Sequence, residues 1–111
     1  MKKRILGRDG LEVSAIGLGC MTIGRDYSED SQKEAVRIIC RAHDLGVTMF
    51  DTAEVYGGLL GRNESLVGEA LKPVRENVTI ATKCGVRFEA GHKIVGARYD
   101  PESENGKSVR G

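Results

Sequence analysis

The sequence predicts an α/β fold in which successive βα units build a parallel sheet behind a short N-terminal hairpin. Short apolar runs alternate with segments whose apolar residues recur at helical spacing. Gly19 and Asp51 are 32 positions apart, as are Asp51 and Lys83, and this interval suits one strand, loop and helix of a βαβ unit. Right-handed crossovers would bring the three strand ends to one edge of the sheet.

The hairpin is predicted within residues 1–14. In "KRILGRDGLEVSAI", β-prone residues lie on both sides of Asp9 and Gly10, a pair that suits the positive φ angles of a hairpin turn. The apolar run "VSAIGLGC" follows and is expected to supply the first parallel strand.

Two helices are predicted from periodicity and capping residues. Ser31 and Glu34 match the capping box S-x-x-E, so the first helix is expected to begin there, and Gly46 suits its C-terminal stop. Asn63 is the expected N-cap of the second helix and Pro73 its end. The apolar positions of the first helix are Ala35, Ile38, Ile39 and Ala42.

Three further segments complete the predicted order. "VTMF" is a compact apolar strand before Asp51, and "NVTIATK" is the next strand. Residues 84–99 are expected to form a long loop or a small excursion from the sheet. An aspartate, a proline and acidic residues then predict a third helix that begins near Pro101.

Composition limits the chain to few functional classes. A length of 111 residues suits one domain, residues 1–111. The formal net charge of +1 gives no electrostatic reason to expect nucleic acid or anionic membrane. The three cysteines are widely spaced and match neither a disulfide framework nor a metal site. The basic N-terminus lacks an apolar signal core, so a cytoplasmic location is expected.

The polar residues at the strand ends predict a catalytic site. Asp51 and Lys83 each follow an apolar strand and would be costly to desolvate alone, which favours a mutual salt bridge. Tyr56 follows in the short loop "DTAEVYG" and can fold back over the same edge. An ammonium group within about 4–6 Å of a phenol lowers the phenol's pKa and makes it a usable proton donor. Taken singly, an aspartate at a strand end is more typical of an N-cap or a turn, and an exposed tyrosine is more typical of packing.

The periodicity leaves the closure of the sheet open. Continuously apolar strands suit a sheet that is covered on both faces, as in a doubly wound fold or in a (β/α)8 barrel. Three units cannot close a barrel, which needs eight strands and about 250 residues. The chain is therefore expected to be either a small open sheet or the first part of a larger domain.

Four stretches of the chain resemble the aldo-keto reductase family. They are "LGRDGLEVSAIGLGCM", "AHDLGVTMFDTAEVYG", "NESLVGEALK" and "VTIATKCG", in the family's order and spacing from about residue 4 to residue 85. The resemblance implies the first three βα units of a (β/α)8 barrel, with the hairpin at its bottom. It also implies NADPH as the cofactor and aldehydes or ketones as substrates.

The resemblance also implies roles for individual residues. Tyr56 matches the catalytic acid, Lys83 the residue that lowers its pKa, and Asp51 the partner of that lysine, close to the nicotinamide ribose. Cys20 and Met21 match positions that line the nicotinamide side of the cofactor site. No metal is implied.

The chain departs from the family's pattern in two ways. The family's catalytic histidine at the end of the fourth strand has no counterpart, because His43 lies in the first predicted helix and His92 in a loop. The loops that hold the cofactor's phosphates follow the seventh and eighth strands, beyond these 111 residues. We therefore expect the 111-residue polypeptide to be a fragment that lacks turnover.

The residues themselves suggest two other interpretations. The first is a dinucleotide fingerprint G-x-G-x-x-G in "GLGCMTIG", which is disfavoured because position 22 is Thr22 instead of glycine and because no helix opens directly after it. A non-catalytic interaction module is the other alternative, because three parallel strands leave two unpaired edges that favour self-association.

Overall fold

The computed structural model describes residues 1–89 and 93–97. The predicted N-terminal hairpin is present, with β1 at Lys3–Leu6 and β2 at Leu11–Ser14 in antiparallel register. Two hydrogen bonds attach the hairpin to the rest of the fold. The Ser14 amide donates to Thr48 Oγ1, and the Thr48 amide donates to Ser14 Oγ, both at 2.8 Å.

A three-stranded parallel sheet follows the hairpin. Its strands are β3 (Leu18–Gly19), β4 (Met49–Asp51) and β5 (Thr79–Ala81), with β4 in the middle. Gly19 pairs with Asp51, and Asp51 pairs with Ala81. The three strands therefore end at a common edge, as predicted. The 32-residue interval holds for Gly19 and Asp51, but the register partner of Asp51 is Ala81, and the predicted strand end at Lys83 is wrong because β5 stops at Ala81.

Helix α1 spans Glu29–Asp44, and the predicted start at Ser31 is wrong. Ser28 is the N-cap, and its side chain accepts a hydrogen bond from the Ser31 amide. The Asp26 carboxylate accepts hydrogen bonds from both the amide and the hydroxyl group of Ser28. The chain therefore enters the helix three residues earlier than the capping box indicates. Gly46 lies beyond the helix end at φ +102°, in agreement with its predicted role.

Helix α2 spans Arg62–Leu71, and the predicted N-cap at Asn63 is also wrong. Gly61 precedes the helix at φ +77° without a side-chain cap, and Asn63 is turned into the interior. A 3₁₀ helix at Lys72–Asn77 carries Pro73 in its first turn, so the α-helix stops where the proline predicts.

One apolar core joins both helices to the sheet. It includes Phe50 from β4, Ile39 from α1 and Leu71 from α2, all fully buried. The strands are not equally covered, because the residues of β5 are all partly exposed. The expected burial of both sheet faces is therefore incomplete in the described part of the chain.

An antiparallel hairpin follows β5 where the sequence predicts a loop or small excursion. Its strands are β6 (Val86–Glu89) and β7 (Lys93–Ala97), with Val86 paired to Ala97. β-branched and aromatic residues in both segments favour strands over an open loop. The third helix predicted near Pro101 lies outside the described residues. Within the described ranges, no helix is long and apolar enough to cross a membrane.

Candidate active site

Asp51 and Lys83 form the predicted salt bridge at the carboxyl edge of the sheet. Lys83 Nζ lies 2.8 Å from each oxygen of the Asp51 carboxylate and 3.0 Å from the carbonyl oxygen of Thr52. The hydrogen bond to Asp51 is the largest cause of a raised Lys83 pKa; desolvation opposes it, and the hydrogen bond to Tyr56 is a smaller cause in the same direction as Asp51. The pair therefore favours the charged form of the Lys83 ammonium group beside the strand ends.

The loop between β4 and α2 places Tyr56 beside this ammonium group. Lys83 Nζ lies 5.0 Å from the centroid of the Tyr56 ring. The loop is bonded to the segment that carries Lys83, because the Glu54 amide donates to the Lys83 carbonyl oxygen at 3.1 Å. In turn, the Gly85 amide donates to Glu54 Oε1 at 3.1 Å. Asp51, Tyr56 and Lys83 are therefore brought together by strand register and by loop hydrogen bonds.

A cleft of about 440 Å³ opens next to Tyr56. It lies between the loop after β3 and the loop after β4. Met21 lines the cleft and is about half exposed, whereas Cys20 is fully buried in the core. Burial raises the pKa of the Cys20 thiol to about 11. The other lining residues are Arg25, Tyr27, Val55, Gly57 and Gly58.

Tyr27 and Arg62 join the rim of the cleft, and the sequence reasoning missed both. The Tyr27 hydroxyl donates to the carbonyl oxygen of Gly57, directly after Tyr56. The Arg62 guanidinium stacks over the Tyr27 ring at 3.8 Å from its centroid. An isolated tyrosine in a polar loop carries no periodic signal that would have identified it.

Asn63 and Thr52 form a buried polar pair below the cleft, and the sequence reasoning assigned neither to the site. Thr52 Oγ1 donates to Asn63 Oδ1 at 2.6 Å. Asn63 Nδ2 donates to the carbonyl oxygens of Cys20 at 2.9 Å and Ile23 at 3.2 Å. A signal was available, because Asn63 shares the apolar helical face of Leu66, Val67 and Ala70 and so belongs to the interior.

The cleft is lined by apolar, aromatic and glycine surfaces, with the cationic side chain of Arg25 among them. No group of three or more histidine, cysteine, aspartate or glutamate side chains in the described part of the chain could hold a metal. The cleft instead offers the thioether of Met21, the ring of Tyr56 and the bare backbone of Gly57 and Gly58. Such surfaces suit a flat, uncharged ring.

Comparison with known proteins gives one consistent result. A family model described as "Aldo/keto reductase family" matches residues 15–108. The uncharacterized oxidoreductase YqkF of Bacillus subtilis (strain 168) is 39% identical over 101 residues, which cover 91% of this chain and 30% of that protein.

Two solved structures are similar to this chain. The aldo-keto reductase AKR11C1 from Bacillus halodurans in its holo form has a TM-score of 0.75 and 41% identity, with 88% of this chain and 31% of that one covered. An aldo/keto reductase from Klebsiella pneumoniae in complex with NADP and acetate has a TM-score of 0.63 and 31% identity, with 76% and 28% covered.

The chain thus spans about 30% of the length of the relatives it matches. Its described residues form the hairpin and the first parallel strands of the family's barrel, without closure of the sheet. On the family match and on these identities, the chain belongs to the aldo/keto reductase family.

Proposed function

We propose that this chain carries the proton-donating part of an NADPH-dependent reductase site, which converts aldehydes and ketones to alcohols. The supporting observation is the arrangement at the sheet edge. A lysine ammonium is held by a carboxylate at 2.8 Å and lies over a tyrosine ring at 5.0 Å. Membership of a reductase family supports the redox class of the reaction.

In the proposed reaction Tyr56 is the general acid. Its O–H bond breaks as a new O–H bond forms on the carbonyl oxygen of the substrate, so that a phenolate remains on the protein. Lys83 lies close enough for its positive charge to stabilise this phenolate. Asp51 keeps Lys83 charged and oriented, because both of its carboxylate oxygens contact Nζ.

Met21 and Tyr56 are the residues that we assign to the nicotinamide ring. Bound NADPH would supply the hydride that reduces the carbonyl carbon. The complex of the Klebsiella pneumoniae reductase with NADP supports this choice of cofactor. We assign Asp51 to the ribose side of the same ring. The resemblance implies that Cys20 also lines the nicotinamide side of the site. Because its side chain is buried, we propose that Cys20 acts only by anchoring its neighbour Met21.

The test uses the chain alone and a chimera. We expect the 111-residue chain to show no turnover with NADPH and 4-nitrobenzaldehyde. Residues 15–85 would then replace the matching segment of the Bacillus halodurans reductase, which is 41% identical. We expect the chimera to reduce the aldehyde, and Tyr56→Phe and Lys83→Met to abolish this activity. Lys33→Met is the control matched to Lys83→Met, because Lys33 is an exposed lysine of α1 that does not line the cleft.

A folded chimera that binds NADPH and keeps its activity after Tyr56→Phe would contradict the proposed role of Tyr56. Turnover by the 111-residue chain alone would overturn the expectation that this polypeptide is inactive. Both outcomes are read from NADPH absorbance at a fixed aldehyde concentration.

A further inference from the structure

We propose that Asn63 is a positioning residue that fastens together the two loops on either side of the candidate active site. The proposal rests on the proposed function for its meaning in catalysis, but the contacts themselves are independent of it. Asn63 lies in the first turn of α2, below the cleft, and only 2% of its surface is exposed.

Both the oxygen and the nitrogen of the Asn63 side-chain amide form hydrogen bonds. Its oxygen accepts the Thr52 hydroxyl, and its nitrogen donates to the carbonyl oxygens of Cys20 and Ile23. A buried amide with all its partners in place is strongly oriented, because each lost bond would leave a polar atom away from water. No buried side-chain nitrogen or oxygen in the described residues lacks a partner.

The three contacts of Asn63 reach both sides of the cleft. Cys20 and Ile23 flank the segment that presents Met21, so their carbonyl groups hold the loop after β3. Thr52 directly follows Asp51, and its own carbonyl oxygen accepts a hydrogen bond from Lys83 Nζ at 3.0 Å. The Asn63 side chain thus bonds to a sequence neighbour of each site residue. Cys20 directly precedes Met21, and Thr52 directly follows Asp51.

A second link joins the same two loops at the surface. Tyr27, from the loop after β3, donates to the Gly57 carbonyl oxygen, and Arg62 stacks on its ring. This outer link is weaker than the inner one, because Tyr27 is 47% exposed and its hydrogen bond competes with water. We therefore assign the main positioning role to Asn63.

Packing alone does not explain an asparagine at this position. Asn63 shares a buried helical face with Leu66, Val67 and Ala70, all of which are apolar. The amide instead supplies directional contacts that a leucine cannot make. Its function is then to fix where Met21, Asp51 and, through the loop, Tyr56 lie relative to one another.

The test measures local opening in the 111-residue chain. Thr52→Val removes the hydroxyl donor while keeping the side-chain shape, and Thr52→Ser restores a donor. Asn63→Leu removes all three bonds. Val67→Ala, one turn further along α2, is the control for a general loss of core packing, since Val67 is buried to the same degree. The readouts are amide hydrogen exchange in residues 20–27 and 52–58 and the NMR signals of the Tyr56 ring.

We expect Asn63→Leu and Thr52→Val to speed exchange in both loops by about tenfold or more relative to the rest of the chain. The Tyr56 signals should shift in both variants, and Thr52→Ser should resemble the parent. Uniform acceleration across the whole chain, matching that of Val67→Ala, would overturn the proposal. Because valine and threonine have nearly the same shape and differ in the hydroxyl donor, Thr52→Val compared with the parent decides the question even if Asn63→Leu does not fold.

The cofactor provides a separate readout. If the parent chain binds NADPH, Asn63→Leu should weaken binding several-fold while Val67→Ala does not. If the parent does not bind NADPH, loop exchange and the Tyr56 signals decide the role of Asn63, and the proposed function is judged separately by the chimera.

Discussion

The side chain of Lys83 has a pKa that depends mainly on one neighbour. The hydrogen bond to Asp51 is the largest of the causes that raise this pKa above 10.5. We predict that Asp51→Asn returns the pKa of Lys83 towards 10.5, as measured by NMR of the Lys83 side-chain nitrogen. Glu54→Gln is the control, because the Glu54 carboxylate binds the Gly85 amide instead. Equal shifts in both variants would contradict the assignment.

The same contact has a defined pH dependence in folding stability. Because the folded pKa of Lys83 lies above the unfolded value of 10.5, the pair stabilises the fold fully below pH 10.5, and this contribution is lost as pH rises through the folded pKa. The contribution is small, since Asp51 and Lys83 are both about half exposed. Urea unfolding of the parent and of Asp51→Asn should therefore converge at high pH.

Cys20 gives a second prediction at this scale. Its thiol has a pKa of about 11 in the fold against 9.0 as an ordinary value, so the unfolded chain loses this proton first. We predict that stability falls between pH 9 and 11 by at most about 1.4 kcal/mol per pH unit, and that Cys20→Ala flattens this slope. At pH 8, iodoacetamide should modify the exposed Cys40 well before Cys20, as followed by mass spectrometry. Rapid alkylation of Cys20 in the folded chain would contradict its burial.

At the scale of elements, helix α1 begins earlier in the structure than its capping-box pattern predicts. Ser28 caps the helix, whereas Ser31 lies inside its first turn. We predict that Ser28→Ala lowers the free energy of unfolding by about 1 kcal/mol, and that Ser31→Ala changes it much less. Urea denaturation of both variants measures the difference. The reverse order would show that the capping box at Ser31 and Glu34 is used after all.

The loop after β3 packs closely against α2 through Gly24. This glycine has φ +68°, and an added Cβ would come within 2.5 Å of the Leu66 side chain. Gly10 has a similar φ of +76° in open space. We predict that Gly10→Ala costs about 1–2 kcal/mol for backbone strain alone, and that Gly24→Ala costs more because Leu66 must also move. Equal costs in thermal unfolding would show that the Leu66 contact is unimportant.

At the scale of the whole molecule, the sequence predicts the strand order and the Asp51–Lys83 pair well. Both follow from a nearly regular interval, because similar spacing brings parallel strand ends together whatever the details of the loops. The match is not exact, since Asp51 pairs with Ala81 and Lys83 lies beyond the end of β5. The helix starts and the Asn63 contacts were missed because they depend on tertiary partners. Asp26 accepts a hydrogen bond from the Ser28 amide and so favours Ser28 as the N-cap of α1. The Cys20 and Ile23 carbonyl oxygens accept hydrogen bonds from Asn63, which orients its side chain into the interior. Tyr27 could not be found at all, since its partners come from loops distant in sequence.

The open sheet has a consequence for the behaviour of the chain in solution. Strands β3 and β5 each have strand β4 as their only described strand neighbour, and several large apolar side chains are exposed, with Ile16 the most exposed at 65%. Unpaired edges beside apolar surface favour association. The matched relatives are about three times as long as this chain.

We predict that the 111-residue chain associates reversibly as its concentration rises, as measured by sedimentation velocity. Ile16→Lys should weaken this association several-fold, because the new charge resists desolvation at an apolar contact. Ser65→Lys adds the same charge at an exposed polar position of α2 and should have little effect. If both variants weaken association equally, net charge rather than the apolar surface controls it. A chain that stays monomeric at high concentration would instead show that the described sheet is adequately protected by its own residues.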